Sequence, residues 1–270
     1  MNRTEMEKRK NLDAEAHERL KDTCVLLTEY ATRLLGCGAT CIRVEKNVHR
    51  MAGRFGVHAE LTVLPSGVML TMRDTDRRHS YTANARLRDT AISFSMNTAL
   101  SRLSWDVAEG RADRKEAAQR LAEAYGGPIL NRWLLLALVS AANASFCRLF
   151  GGDITSMGIV FAATACGFYL KQVMQAEHID FRLTTFLAAF VAAVIASAGH
   201  IFGQGTTPDV AMGTSVLFLI PGIPYINSVS DLLDGHYLCA FSRFMHSAVL
   251  TVCISLGLCG ALLLMNLEWF

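Results

Sequence analysis

An apolar part of the chain is interrupted in its middle, where residues 219–231 read LIPGIPYINSVSD. Proline removes a backbone N–H and clashes with the preceding helical turn, so Pro221 and Pro224 around Gly222 predict a break in the helix. If this segment enters a bilayer near residue 210, Pro221 lies about 17 Å deep, close to the bilayer centre. Backbone groups freed at that depth must face protein or a wet cavity. We therefore expect a polar site within a membrane-embedded part of the chain.

Polar side chains follow the break on one face of the next helix. Asn227 and Asp231 are four residues apart, and Ser228 lies beside them. Ionisable groups inside or at the edge of a membrane span are costly and often functional. In one interpretation Asp231 couples protons or contacts a solute that Asn227 binds. In the other, Asp231 has already emerged at the membrane interface, where a carboxylate costs little, and the sequence leaves both open.

Charge is distributed unevenly along the 270 residues, of which 51% are hydrophobic and 19% charged. Residues 1–130 carry 21 Lys and Arg with 17 Asp and Glu, whereas residues 131–270 carry only 5 and 7. No dense basic stripe with interleaved aromatic residues occurs, so we predict no nucleic-acid partner. The chain also lacks the motifs typical of hydrolases and nucleotide-binding enzymes and has no CxxC pair. We therefore predict no enzyme activity, no metal site and no cofactor.

The second half of the chain predicts five transmembrane helices, because crossing about 30 Å of hydrocarbon requires about 20 apolar residues. The predicted spans cover about residues 129–150, 154–170, 183–202, 210–230 and 244–267. The first is the shortest uncharged segment, and Arg132 and Arg148 at its ends must extend to opposite interfaces. Lys and Arg flanking spans stay on the cytoplasmic side. Their positions predict a cytoplasmic amino terminus and a carboxyl terminus outside.

The first half predicts a small α+β domain on the cytoplasmic side. Residues 1–22 form a polar amino-terminal tail, and residues 23–128 contain the domain. Helical patterns cover about residues 23–36, 40–55, 89–109 and 113–125, with Asp113 as a helix N-cap. Two alternating strands, 57–64 and 68–73, flank a hairpin signal. The predicted fold is thus a polytopic α-helical membrane protein, with a five-helix membrane domain over residues 129–270 after the α+β domain.

Several blocks of sequence resemble the threonine/serine exporter (ThrE) superfamily, and within it the short YjjP-like inner-membrane proteins. The order and spacing of these blocks, over about residues 23–265, carry the resemblance. They are residues 34–39, 43–45 and 54–57, residues 146–149 with 151–152, and residues 221–224 with Asn227, Asp231, Gly235, His236 and Arg243. One departure is Thr40, where many relatives have an acidic residue, so a role of that carboxylate does not transfer.

The resemblance implies a subunit of a secondary exporter in the bacterial inner membrane, driven by the proton gradient. Full-length relatives export threonine and serine, and the short two-component ones export dicarboxylates such as succinate. Because this chain resembles only the first half of a full-length relative, a second small membrane protein of the same family is the expected partner in an oligomeric assembly. The residues expected along the solute path are Pro221, Gly222, Pro224, Asn227, Ser228, Asp231 and Arg243.

A second hypothesis comes from a different class of protein. In it the chain is a membrane-anchored metabolite sensor or scaffold, and its spans only hold the cytoplasmic domain in the bilayer. The two hypotheses differ in what they expect of the broken segment. An exporter requires that segment for transport, whereas a sensor tolerates its disruption.

Overall fold

A computed structural model describes the backbone of residues 3–76, 78–87, 92–124, 131–203 and 205–266, with side chains from residue 13 onward. The chain forms two compact units. The first unit comprises residues 1–128 and 223–244, and the second comprises residues 129–222 and 245–270. The sequence-based division places residues 223–244 with the membrane helices, whereas the structure groups them with the amino-terminal part.

The first unit contains four helices and a three-stranded antiparallel sheet before its short return segment. Their order along the chain is α1 Arg3–Gly36, α2 Cys41–Arg54, β1 Val57–Leu64, β2 Gly67–Asp74, β3 Ser80–Arg86, α3 Phe94–Ala108 and α4 Arg114–Glu123. The predicted N-cap is confirmed, because Asp113 and Glu116 form a reciprocal capping box at the start of α4. Helix α3 begins at Phe94 after the N-cap Ser93, and the predicted start at residue 89 lies outside the described residues.

The sheet has the order β1-β2-β3, and one face of it packs on the helices. The predicted hairpin is confirmed, with Leu64 opposite Gly67 and Val57 opposite Asp74. Strand β3 was not predicted. Its inward positions are Tyr81, Ala83 and Ala85, and alanine contributes too little apolar contrast for the alternation to stand out.

The second unit is made of helices that continue the chain from residue 131. They are α5 Arg132–Leu149, α6 Ile154–Ala176, α7 Phe181–Ala196, α8 Ala198–Ile201 and α9 Pro208–Ser215. Small residues bring α6 and α7 together: a Cβ on Gly167 would lie 2.9 Å from the carbonyl oxygen of Ala188. Ala188, Ala189, Ala192 and Ala193 are fully buried. These alanines of α7 therefore pack against protein within the second unit.

The predicted break is present in the structure. After α9 a short 3-10 helix covers Leu217–Leu219, Ile220 is extended, and α10 runs over Gly222–Leu233. Pro221 precedes α10 and Pro224 lies in its first turn, where a helix needs no N–H donor. The prolines therefore begin a new helix rather than kink a continuous one. The last helix, α11, covers Tyr237–Leu264.

Within the described ranges, three helical segments are long and apolar enough to cross a membrane, so this is a multi-pass membrane protein. They are Ile154–Ala176, Phe181–Ile201 and Tyr237–Leu264. The pair Pro208–Leu219 and Gly222–Leu233 makes a fourth if its two segments form one interrupted span. Helix α5, predicted as the first span, is not among these segments. It carries Arg132 and Arg148 near its ends and Asn143 between them.

Candidate functional site

The hairpin formed by α10 and the start of α11 places a carboxylate beside a guanidinium. Asp231 lies in the last turns of α10, and Arg243 lies two turns into α11. Their Oδ2 and Nη1 atoms are 2.9 Å apart, and the side chain of Asp231 is fully buried while that of Arg243 is 21% exposed. Because an isolated buried carboxylate is very costly, this ion pair is what allows Asp231 to be buried.

Asp231 also caps helix α2, which begins 190 residues earlier in the chain. Its Oδ1 accepts a hydrogen bond of 2.8 Å from the backbone N–H of Cys41, the first residue of α2. The N-cap residue Thr40 makes no side-chain capping bond. The first N–H groups of a helix lack internal partners and carry partial positive charge. The carboxylate of Asp231 therefore replaces a local cap and neutralises part of the helix dipole.

Two more side chains from the hairpin bind the turn between α1 and α2, residues 38–41, which we call the 38–41 turn. Arg243 donates through Nη2 to the carbonyl oxygen of Ala39 at 2.9 Å. Asn227 donates through Nδ2 to the carbonyl oxygen of Gly38 at 2.8 Å. Asn227, Asp231 and Arg243 thus all bind one turn, and each bonds a different backbone group of it.

Glycines in the left-handed conformation shape both partners of this contact. Gly38 has φ +93° and ends α1, where the N–H of Ala39 bonds the carbonyl of Leu34. Gly235 has φ +85° and ends α10, where the N–H of His236 bonds the carbonyl of Asp231. This is the Schellman arrangement of helix ends, which favours glycine because other residues pay a steric cost there. Both glycines lie in the sequence blocks that suggested the family.

Further contacts hold the hairpin in place. Ser228 donates to the carbonyl oxygen of Ala240 at 2.8 Å, which joins α10 to α11. Nε2 of His236 lies 3.5 Å from Oε2 of Glu45 on α2, an ion pair when the histidine is protonated. The neighbouring thiol of Cys239 and burial raise the pKa of Cys41. The thiol of Cys41 therefore stays protonated.

The structure brings three of the predicted site residues together and uses the others differently. Asn227, Asp231 and Arg243 converge on the 38–41 turn, whereas Ser228 bonds within the hairpin. Pro221, Gly222 and Pro224 lie at the start of α10. The partner of this cluster, the 38–41 turn, was not predicted. The block at residues 34–39 could have indicated it. An apolar helix ends there, and the unpaired backbone groups at helix ends need hydrogen-bond partners from elsewhere.

Residues 25–265 match the family model ThrE, described as "Putative threonine/serine exporter". This range includes the 38–41 turn and the α10–α11 hairpin. No solved structure matches the chain.

Two curated relatives resemble the chain over most of its length. A protein of Klebsiella aerogenes named "Probable succinate transporter subunit YjjP" is 26% identical over 247 residues, which cover 90% of this chain and 94% of that protein. A protein of the same name from Escherichia coli is 27% identical over 241 residues, covering 87% and 91% respectively.

Proposed function

This chain belongs to the ThrE family of exporter-type membrane transporters, and we propose on that premise that it is one subunit of a secondary exporter of small dicarboxylates such as succinate. The observation that carries the proposal is the buried pair of Asp231 and Arg243, next to an interrupted apolar segment. Threonine or serine is the other solute class, and both have a carboxylate for the guanidinium to bind. The relatives named as succinate transporter subunits favour the dicarboxylate.

In the proposed mechanism the guanidinium of Arg243 binds the solute. Asp231 controls whether that guanidinium is available. The guanidinium can form two parallel hydrogen bonds to a carboxylate, and its side chain is partly exposed. A solute carboxylate therefore competes with Asp231 for the same cation.

The proposed solute path follows the chain through the interruption. It includes Pro221, Gly222 and Pro224 at the start of α10, and then the polar residues of α10. Asn227 and Ser228 supply neutral hydrogen-bonding groups, and Asp231 and Arg243 supply the charges. Transporters commonly bind solute where discontinuous helices expose carbonyls and helix ends.

The proposed setting is the bacterial inner membrane, with five spans, the amino terminus and its α+β domain in the cytoplasm, and the carboxyl terminus outside. A second small membrane protein of the same family would supply the other half of the exporter. The hairpin exposes several large apolar side chains, and such a surface needs to be covered by lipid or protein. Those at least 55% exposed include Ile226, Val229, Leu233 and Phe241.

The direct test is efflux of succinate from cells that express Asp231→Asn. We expect efflux per amount of chain in the membrane fraction to fall to the background of cells lacking the chain; the amount of chain is measured alongside, because the substitution also destabilises the protein. Asp234→Asn is the matched control, because Asp234 lies three residues further on and is exposed. Its efflux should be unchanged. Wild-type efflux in Asp231→Asn would remove Asp231 from the mechanism.

A cavity in the first unit favours the alternative, a membrane-anchored metabolite sensor. Its volume is about 620 Å³, within the usual range for small-molecule sites, and it lies between α1 and β3. Its lining includes Val25, Thr28, Glu29, Asn84 and Arg86. The substitution Val25→Trp would fill it from the exposed side of α1. An exporter should keep its efflux in this variant, whereas a sensor should lose its response to metabolite.

A further inference from the structure

Strand β3 forms an open edge of the sheet in the first unit. In the part of the chain that the structure describes, β3 has β2 on one side and no strand on the other. The N–H of Asp74 bonds the carbonyl oxygen of His79, and the N–H of Leu87 bonds that of Ser66. Because alternate residues of an antiparallel strand bond the same neighbour, the odd-numbered residues of β3 bond β2. The even-numbered residues direct their N–H and C=O groups to the open edge. They are Ser80, Thr82, Asn84 and Arg86.

The two edges of the sheet differ in how they are protected. At the β1 edge, the thiol of Cys239 donates to the carbonyl oxygen of Val63 at 3.6 Å. Strand β3 has no proline and no bulge, which are common means of blocking an edge. Its pairing with β2 is continuous from Ser80 to Arg86, and Arg86 at its end is its one charged residue. An edge of this kind is a template for another strand.

A groove of about 620 Å³ runs beside this edge, between α1 and β3. Ala83 and Ala85 face inward from β3, and their small side chains leave space beneath the helix. On the helix side the groove is lined by Val25, which is 49% exposed. A strand added to an edge directs every second side chain to the same face of the sheet. The groove therefore suits a strand that brings a large inward side chain.

The sequence of β3 is complementary to itself about its midpoint, Ala83. When two copies pair antiparallel over residues 80–86, the even-numbered residues form the hydrogen-bonded pairs, as their outward groups require. Tyr81, the largest inward residue, then lies opposite Ala85 of the second copy and fills the groove there. On the outer face of the sheet no like charges lie opposite each other. The pairs there are Thr82 with Asn84 and Ser80 with Arg86.

Helix α1 lies where two copies of it can pack together in this arrangement. Sγ of Cys24 lies 3.4 Å from the carbonyl oxygen of Leu70 on β2 and 3.7 Å from that of Tyr81 on β3. Helix α1 therefore lies over both strands. With strands about 4.8 Å apart, the two copies of α1 lie about 10 Å apart, which is the usual distance between packed helices.

The faces of α1 that meet in this way are also complementary. Leu70 pairs with Ala83, so the position of Cys24 places Val25 close to the two-fold axis. Val25 therefore lies beside Val25 of the second copy. Lys21 and Glu29 are four residues before and after Val25, on the same row of the helix. Because the two helices are antiparallel, each Lys21 lies beside Glu29 of the other copy.

We propose that two copies of this chain pair through β3. The result is a continuous six-stranded antiparallel sheet with both copies of α1 packed on one face. The groove that the sensor hypothesis gives to a metabolite is then occupied by Tyr81 of the second copy. This inference goes beyond the proposed function, in which the partner is a different protein, and it depends on neither the solute nor its transport.

The test is disulfide cross-linking of the full chain in its membrane. Two copies with different epitope tags are expressed together, one carrying Thr82→Cys and the other Asn84→Cys, and the membranes are oxidised with copper phenanthroline. Residues in a hydrogen-bonded antiparallel pair have Cα atoms about 5.5 Å apart, which a disulfide can bridge. We expect a cross-linked species that carries both tags, at least tenfold above the amount formed by two wild-type copies.

The matched control replaces Thr82→Cys by Thr62→Cys. Thr62 is exposed on the same face of the sheet but lies on β1, at the opposite edge. We expect its yield with Asn84→Cys to equal the background of the native cysteines. Equal yields for the Thr82→Cys and Thr62→Cys pairs would overturn the proposal, because the cross-link would then come from random collision.

A second measurement is the molar mass of the purified full chain in detergent, by light scattering. The wild type should have twice the chain mass of 29.6 kDa. Asn84→Pro should have half the wild-type mass, because proline removes an edge donor and leaves the bonds to β2 intact. Asn84→Ser is its control at the same position. It should remain a dimer, since pairing uses the backbone.

The outcomes separate this proposal from the efflux experiment, which can fail without changing either measurement. A wild-type chain with a single chain mass would overturn the proposal and leave the groove to a metabolite. Equal masses for Asn84→Pro and the wild type would also overturn it, since the contact between copies would then lie elsewhere. The cysteine pairs contain no proline, so they test the pairing even where Asn84→Pro does not fold.

Discussion

Two helix ends in this protein are closed by side chains from distant parts of the chain, but with different chemistry. The amino end of α2 in the first unit receives the carboxylate of Asp231, which is itself paired with Arg243. The carboxyl end of α9 in the second unit receives the neutral amide of Asn143. Each group matches the sign of its helix dipole, because the anion lies at a positive end and a donor lies at a negative end.

The two sites differ in the stability that is lost when one partner is removed. A buried ion pair costs about 3–5 kcal/mol when one partner is removed, since the other charge remains buried. A neutral buried hydrogen bond costs about 1–3 kcal/mol when its partner is left unsatisfied. The first site is therefore more sensitive to substitution than the second. A site that responds strongly to loss or gain of one charge is suited to protonation or to a charged solute.

The largest expected effect comes from breaking the charged site. Asp231→Asn and Arg243→Gln should each lower the free energy of unfolding by about 3–5 kcal/mol. The double variant should lose less than the sum of the two, with a coupling of about 0.5–3 kcal/mol, because no unpaired charge then remains. Denaturant unfolding of the four proteins measures this cycle. Additive losses would mean that the two side chains do not stabilise each other.

A smaller effect is expected from crowding the helices of the second unit. A Cβ on Gly167 would lie 2.9 Å from the carbonyl oxygen of Ala188 and 3.0 Å from Cζ of Phe218. Overpacking of this kind costs about 1–3 kcal/mol, so Gly167→Ala should lower the unfolding temperature. Gly158→Ala on the same helix is the control, because nothing lies within 4 Å of its added Cβ. Equal unfolding temperatures in the two variants would show that α6 and α7 are not packed closely.

The smallest effect tests the 38–41 turn through its backbone. Gly38→Ala should cost about 1–2 kcal/mol, because φ is +93° and the added Cβ would lie 3.1 Å from Cγ2 of Ile92. Gly235→Ala has the same backbone strain but no neighbour within 4 Å, so it should cost less. Gly53→Ala, inside α2 with open space around it, should be neutral or stabilising. A loss in Gly53→Ala as large as that in Gly38→Ala would contradict this assignment of strain.

Local signals in the sequence predicted much of the fold. The prolines around Gly222 indicated the interruption, Asp113 indicated a helix start, and the alternation across residues 57–73 indicated a hairpin. These features depend on neighbouring residues, so a single sequence contains them. Strand β3 was missed because its inward residues include two alanines, whose apolar contrast with their neighbours is weak.

The candidate site was predicted only in part, because its geometry depends on contacts between distant residues. The sequence placed Asn227 and Asp231 on one helix face, which is confirmed by their bonds to the same turn. That this turn is residues 38–41 could not be read from spacing, since 190 residues separate Cys41 from Asp231. Asn143 was not predicted to take part in any site. Its role depends on where α9 ends, and the sequence did not predict the exact residue at which that helix ends.

The most direct measurement of the central claim is counterflow in liposomes. The chain is purified together with the proposed second membrane subunit and reconstituted into liposomes. The liposomes are loaded with unlabelled succinate and diluted into labelled succinate or labelled threonine. We predict transient accumulation of labelled succinate in the wild type and Asp234→Asn, and none in Asp231→Asn. Accumulation of neither solute by the wild-type pair, or equal accumulation of succinate with and without Asp231, would contradict the account.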